Sequence, residues 1–338
     1  MNEIWLSIIM PTFNKAKYIR EALDSIFMQE TNYHYKIIIA DDGSVDATLD
    51  IVEQYADKYP NTISVLKSEK NQGLFKNIIR AYRLLDTKYF CVLDPDDFWI
   101  DKNKIQNALD FLESHEEYTI YATNMRMQYD ANRIIGNYNG YSKQKSSNFQ
   151  QYLEGRAVLG NTPSSIFRNI VFDEDFCQKI LLKINNGLDE NSFRADSFRN
   201  LSHLVCGKVF YEPIVDSVYR ITEEGIWCGS DEFKRILTNC IFYKDMWLFY
   251  EEKYFKLLLI SYELYKKLLK PNLLEIFFNN DEEKFIKQSY ELHRLHTVYQ
   301  LHIDELESAT SKKMKLKYRI YHWFYEKLKK KLEKKGLI

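Results

Sequence analysis

The sequence predicts an α/β fold: a doubly wound, mostly parallel sheet with helices on both faces, followed by an all-helical C-terminal domain. Three observations carry this. Short, continuously apolar runs alternate with amphipathic helical segments over the first hundred residues, the pattern of a parallel sheet buried on both faces. Two of those runs end in acid clusters, Asp41-Asp42 and Asp94-Asp96-Asp97. Beyond residue 232 the punctuation of turns almost vanishes, with no Gly between Gly229 and Gly336 and Pro271 as the one Pro.

The elements follow in order. "IWLSIIM" is an Ile-rich strand stopped by Pro11. "KAKYIREALDSIFMQ" sets Ala16, Ile19, Leu23 and Ile26/Phe27 at helical spacing. "YKIIIADDGS" is a second buried strand, and "VDATLDIVEQYADKY" is a helix with Asp46 suited to its N-cap. "TISVLKS", "GLFKNIIRAYRLL" and "YFCVLD" complete a strand, a helix and a fourth strand. From 120 to 230 the pattern is mixed: a strand at "YTIYATNMRMQY", a polar loop over 137–150, the punctuated "LGNTPSSIFR", a helix at "ADSFRNLSHLVCGK" and a strand at "KVFYEPIVDSVYR". The predicted division is 1–232 for the α/β domain and 233–338 for the helical one.

Composition narrows the class. The chain has 338 residues, 45% of them hydrophobic, and a net charge of −1, which points to no nucleic-acid partner. The five cysteines (Cys91, Cys177, Cys206, Cys228 and Cys240) are scattered and lack CxxC spacing, as expected of reduced thiols in the cytoplasm. "MNEIWLSIIMPTF" has an acid at position 3 and enters a strand at once, so no signal peptide is expected. No run approaches the roughly 18 apolar residues that span a bilayer.

The acid clusters carry the chemistry. In such sheets ligands sit in the crevice beyond the strands' carboxyl ends, and both clusters should lie side by side at that rim. Asp94, Asp96 and Asp97 fall within four residues. Like charges so close destabilise a fold unless something positive neutralises them. Carboxylates at a strand end hold hard divalent cations that bridge to phosphates; the plain alternative is a solvated turn. Asp42, followed by a small Gly-Ser turn, can accept hydrogen bonds from a nucleobase or ribose. Pro11, Thr12 and Phe13 follow the first strand and offer an aromatic face, while Asn71 and Gly73 open a helix whose N–H groups favour anions.

The segments "SIIMPTFNKAKYIREALDSI", "IIIADDGSVDAT", "KNQGLFKNIIRAY" and "VLDPDDFW", in this order and spacing, resemble the family 2 inverting glycosyltransferases of the GT-A fold, over roughly residues 4 to 230. The resemblance implies a nucleotide-sugar site, with Mn²⁺ or Mg²⁺ as cofactor and a UDP-hexose or UDP-N-acetylhexosamine as donor. Phe13 and Asp42 would recognise the base, with Pro11 and Thr12 beside them, and the Asn71/Gly73 segment would shape the pocket. Asp94 and Asp96 form the DxD motif, Asp94 meeting ribose and metal and Asp96 ligating the metal, with Asp97 behind them.

An inverting transferase also needs a general base. The resemblance places it at Asp196, although Ala195 stands where the family has Glu; Asp189 or Glu190 is the rival. Arg220 and Trp227 occupy the place of a loop over the active site, where Arg220 contacts diphosphate or acceptor, or else pairs with Glu223 or Glu224, and Trp227 stacks on a sugar. Ala195 also motivates a second reading, a non-catalytic glycosyltransferase-like module that binds a partner enzyme or glycan. A nucleotidyltransferase would want a glycine-rich loop after the first strand, and "PTFNKAKY" has no glycine.

His203, in the apolar "LSHLV", reads as a core histidine, and His293 and His296 as a surface helix face. Residues 312–335 hold eleven Lys and Arg against two Glu, leaving 36 basic and 46 acidic residues elsewhere. With Met314, Tyr318, Tyr321, Tyr325, Leu328 and Leu332 as a stripe, three readings compete: an anionic membrane surface, self-association through the helical domain, or plain packing. The expected location is cytoplasmic, peripheral at the inner face of the cell membrane. The acceptor is expected to be a glycan, free, lipid-linked or protein-linked.

Overall fold

The computed structural model describes residues 3–129, 133–193, 196–222, 231–270, 282–302, 305–306 and 330. The chain forms two compact units, residues 1–186 with 193–222, and residues 187–192 with 223–338.

The first unit runs β1 (Ile4–Thr12), α1 (Ile19–Phe27), β2 (His34–Asp41), α2 (Thr48–Lys58), β3 (Ile63–Leu66), α3 (Leu74–Tyr82), β4 (Tyr89–Val92), β5 (Phe98–Trp99), α4 (Lys104–Ser114) and β6 (Tyr118–Tyr129). It continues through β7 (Ile134–Asn137), β8 (Lys145–Ser147), α5 (Phe149–Leu153), β9 (Ser165–Arg168), α6 (Glu174–Asn185), α7 (Asp196–Cys206) and β10 (Lys208–Ile221). The strands form one sheet in the order β3-β2-β1-β4-β9-β6-β10-β5, with β7 on β6 and β8 on β10. β3, β2, β1 and β4 pair in parallel, as do β6 and β10; β9 runs antiparallel between β4 and β6. The expected mostly parallel, doubly wound sheet is thus present, with β9 inserted antiparallel and the short β5, β7 and β8 also pairing antiparallel.

Sequence explains the parallel half directly. Leu6, Ile8, Ile9 and Met10 of β1 are all 0% exposed, because helices cover both faces of a parallel sheet and leave no polar face to alternate with. Ile19, Ala22, Leu23 and Ile26 form the buried stripe of α1 and pack in the same core as Ile37, Ile39 and Cys91.

Four local expectations need correction. β1 lies between β2 and β4, so the two acid clusters share an edge of the sheet without being neighbours. The first helix begins at Ile19, not at Lys15, because the Lys15 carbonyl accepts the N–H groups of both Tyr18 (2.9 Å) and Ile19 (3.0 Å) in a tight entry turn. Asp46 is not the cap residue of α2, which is Ala47. Its carboxylate instead accepts the N–H of Ala16 (3.1 Å) and that of Thr48 (3.0 Å), tying the entrances of α1 and α2 together. The 137–150 loop also contains β8, paired on β10.

Gly43 shows how closely these loops pack. Its φ is +76°, and a Cβ there would lie 2.8 Å from the Lys70 carbonyl carbon and 2.9 Å from Lys70 Cα. Backbone cannot yield as a side chain end can. Gly43→Ala is therefore expected to cost about 2–3 kcal/mol, from the left-handed conformation plus the contact, read as a lower urea midpoint with an unchanged slope.

The second unit contains α8 (Glu232–Phe249), α9 (Phe255–Leu268) and α10 (Glu282–Leu301). Phe233, Cys240 and Phe249, Leu257 and Tyr262, and Leu292 and Tyr299 are buried from the three helices in turn. Ser261 Oγ donates to the Cys240 carbonyl (2.5 Å) and shares a hydrogen bond with Tyr299 Oη (2.7 Å), linking all three. His296 corrects the expected surface face: it is buried, with Nδ1 3.0 Å from Tyr265 Oη. Asp189 and Glu190 belong to this unit. Among the described residues no helix is long and apolar enough to cross a membrane.

Candidate active site

The carboxyl edge of the parallel strands is built by three loops that bond to one another. The last residues of β1, Pro11 and Thr12, are buried and paired with β2, so the strand runs past the Pro11 at which the sequence was expected to stop it, while Phe13 just beyond keeps 37% of its surface exposed. Asn14 adopts φ +51°, a left-handed conformation that Asn tolerates. Its N–H donates to Ser44 Oγ (2.9 Å) and its Oδ1 accepts from Val45 N–H (2.9 Å). At the end of β2, Asp41 holds the turn that follows, accepting from the N–H groups of Gly43 (3.1 Å) and Ser44 (3.0 Å). Asp42 is 2% exposed, and its two oxygens accept the N–H groups of Gln72 (2.9 Å) and Gly73 (2.8 Å). Asn71 Oδ1 accepts from Gly73 N–H as well (2.9 Å). Asp42 therefore anchors the Asn71–Gly73 segment, and each carboxylate oxygen retains a second lone pair.

After β4 the acid turn is closed by the Asp97 N–H donating to the Asp94 carbonyl (2.9 Å). Lys15 Nζ, from the loop after β1, lies 2.6 Å from Asp96 Oδ2. Burial, then the Asp96 charge, pushes the Asp94 carboxyl up to about 6, while Arg199 and Lys15 pull it down. Burial followed by the charges of Asp96 and Asp94 raises Asp97 well above the carboxylate range. Asp97 Oδ1 accepts the Arg220 N–H (2.9 Å), and Oδ2 has no hydrogen-bond partner among the described residues.

Arg220 is held on the side of the acid turn that faces α1. It is 7% exposed; its guanidinium donates to Glu21 Oε2 (2.6 Å) and lies over the rings of Tyr18 (5.0 Å) and Phe98 (5.1 Å). Glu21 of α1 pairs with it here, while Glu223 and Glu224, the partners expected from the sequence, lie outside the described residues. Residues 223–230, with Trp227, lie outside the described residues, as do 312–335 apart from Lys330.

Asp196 opens α7 and is half-buried, its Oδ1 accepting the Ser197 N–H (2.7 Å). Its charge bears on Asp94, and it raises the Tyr138 phenol, after burial. The sheet edge therefore brings Asp196 into the electrostatic field of the acid turn. One turn further on, Arg199 is 2% exposed; Nη1 donates to Tyr82 Oη (3.3 Å) and Nη2 to Thr162 Oγ1 (2.9 Å). Lys15 and Arg199 are the cations that sequence reasoning missed. A three-residue step from Asp196 puts Arg199 on the same helix face, a signal available in advance. Asp189 Oδ1 accepts the N–H (2.9 Å) and Nδ2 (2.7 Å) of Asn191 within the second unit. His203 is the expected core histidine: 0% exposed, Nδ1 2.7 Å from the Arg199 carbonyl, and pushed by burial down to about 4.

The described residues contain no cluster of three or more His, Cys, Asp or Glu arranged to hold a metal. The acid turn nonetheless fits a hard cation, since its donors are carboxylate oxygens, and burial, then the Asp96 charge, already raise Asp94. A two-carboxylate site suits an ion such as Mg²⁺ that keeps waters and takes its remaining ligands from a substrate's phosphates.

Residues 7–181 match Glycosyl transferase family 2, so the chain belongs to that family. An uncharacterised Mycobacterium bovis protein, Mb1547, is 28% identical over 225 residues, 66% of this chain and 60% of its own length. The dTDP-rhamnosyl transferase RfbG of Shigella flexneri is 37% identical over 128 residues, 37% of this chain and 43% of that one. The structure of S. aureus TarS 1–349 in complex with UDP covers 98% of this chain and 92% of its own, at TM-score 0.62 and 15% identity. That likeness shows the fold: the GT-A architecture.

Proposed function

We propose that the chain transfers a hexose or N-acetylhexosamine from a UDP-sugar to a hydroxyl of a glycan, lipid-linked or protein-linked acceptor, with inversion, by direct displacement. The observation that supports this is the buried acid turn after β4, whose Asp94 is raised by burial, by Asp96 and, to a lesser extent, by the charge of Asp196 at the start of α7. Phe13 and Asp42 receive the base, and Asn71 and Gly73 wall the pocket. Asp196 accepts the proton of the acceptor hydroxyl as its oxygen attacks the anomeric carbon, and the bond to the diphosphate oxygen breaks. Asp94 and Asp96 would hold Mn²⁺ or Mg²⁺, which when bound neutralises charge on the departing diphosphate. Arg199, fixed between Tyr82 and Thr162, keeps positive potential on Asp94 and Asp196. The basic segment 312–335 is proposed to keep the enzyme at an anionic membrane surface of the cytoplasm.

The test is a donor panel of UDP-glucose, UDP-galactose, UDP-GlcNAc, UDP-GalNAc, GDP-mannose and dTDP-rhamnose, each with Mn²⁺ or EDTA. UDP-sugars head it because the same-fold TarS was solved with UDP. The expected result is Mn²⁺-dependent release of nucleoside diphosphate from one UDP-sugar, at least 100-fold reduced in Asp96→Ala, the order set by removing one electrostatic group. Donor binding without turnover would replace this reading with the non-catalytic module.

A further inference from the structure

We propose that Lys15 is the resident counter-cation of the acid turn, and that a divalent ion gains Asp96 by displacing the Lys15 ammonium. This rests on the metal-assisted reading above. Lys15 Nζ is 2.6 Å from Asp96 Oδ2, and the two side chains are 21% and 18% exposed. The pair is withdrawn from most of the solvent screening that makes surface pairs nearly neutral. It also explains how three carboxylates within four residues are tolerated: one is neutralised from the loop after β1, 81 residues away in sequence.

The root of Lys15 is fixed while its end can leave. Its N–H donates to Thr48 Oγ1 (2.7 Å), and its carbonyl accepts from Tyr18 and Ile19. What can move is a flexible four-carbon stem carrying a compact, readily hydrated charge. Arg199 lacks that freedom, being buried and held by Tyr82 and Thr162. An ammonium and a divalent ion cannot share one carboxylate oxygen without strong repulsion, so occupancy of Asp96 alternates between them. Lys15 thereby weakens metal binding before the donor arrives, and the diphosphate's added negative charge tips the exchange. Metal uptake is coupled to donor arrival.

The probe is Mn²⁺ alone, without nucleotide, followed by the electron paramagnetic resonance of the free ion with wild type, Lys15→Met, Lys15→Gln and Asp96→Asn. The expected result is Mn²⁺ affinity at least about tenfold tighter in both Lys15 variants, a modest shift in an equilibrium constant, and loss of uptake in Asp96→Asn. Thermal melting supplies a second readout: in EDTA the Lys15 variants melt below wild type, and Mn²⁺ closes the gap. Equal or weaker Mn²⁺ binding in both Lys15 variants, with Asp96→Asn still deficient, overturns the exchange and leaves the metal reading standing. No uptake by any variant, with donor turnover indifferent to EDTA, overturns both.

Discussion

Asp196→Asn is expected to lower turnover by about 10²- to 10⁴-fold, the range of a positioned general base, while leaving donor affinity unchanged. The substitution is matched to the local structure. Asn keeps an oxygen for the Ser197 N–H, the 2.7 Å bond that holds the side chain at the start of α7, so the helix entrance survives. What is lost is the ability to take a proton. The assay can begin with donor hydrolysis, where water stands for the acceptor hydroxyl and needs the same base. UDP binding measured calorimetrically provides the control. Asp189→Asn, whose carboxylate holds the Asn191 turn of the second unit, is expected to change turnover less than about twofold, the scale of a substitution that touches no reacting group. A drop under fivefold in Asp196→Asn, or a large one in Asp189→Asn, would transfer the role of base.

Much of this was legible in the chain, for a physical reason. Strands buried on both faces must be apolar throughout, so β1, β2 and β4 announced themselves as "IWLSIIM", "IIIAD" and "YFCV", and acids at their ends had to lie at the carboxyl edge. Asp196 was reached only through the family resemblance, because one Asp at a helix start is ordinary capping chemistry. The ion pairs were not legible. Lys15 meets Asp96 and Arg220 meets Glu21 across 81 and 199 residues, where long flexible side chains and loop geometry decide the partner. His296 misled for a related reason: polar residues spaced along a helix look solvated until a buried hydroxyl, here Tyr265 Oη, supplies their partner.

Lys104, at the start of α4, makes another pair between residues far apart in sequence. It is 3% exposed, and its Nζ lies 2.7 Å from Oδ2 of Asp216 in β10, itself 2% exposed. Thr123 of β6 donates to the other carboxylate oxygen (2.8 Å), and the Asp216 carbonyl accepts the Ile100 N–H (2.8 Å) just after β5. One ion pair thus joins α4, β6 and β10 at the seam that follows the acid turn. Lys104→Met is expected to cost about 3–5 kcal/mol, because it leaves a buried carboxylate without its counter-charge. The penalty has a defined pH dependence. Burial already raises Asp216, and without Lys104 its folded pKa rises further. A carboxyl raised in the folded state retains its full stability below the unfolded value of about 4 and loses it as pH rises through the folded value. The deficit of Lys104→Met should therefore be small near pH 4 and complete by pH 8, measured by urea unfolding at both. Adding Asp216→Asn should recover much of the loss at pH 8 and little at pH 4, since Asn keeps the Thr123 hydrogen bond without the charge. A deficit under about 1 kcal/mol at pH 8 would place the pair with ordinary surface bridges, and the seam would then owe its position to packing around Trp99.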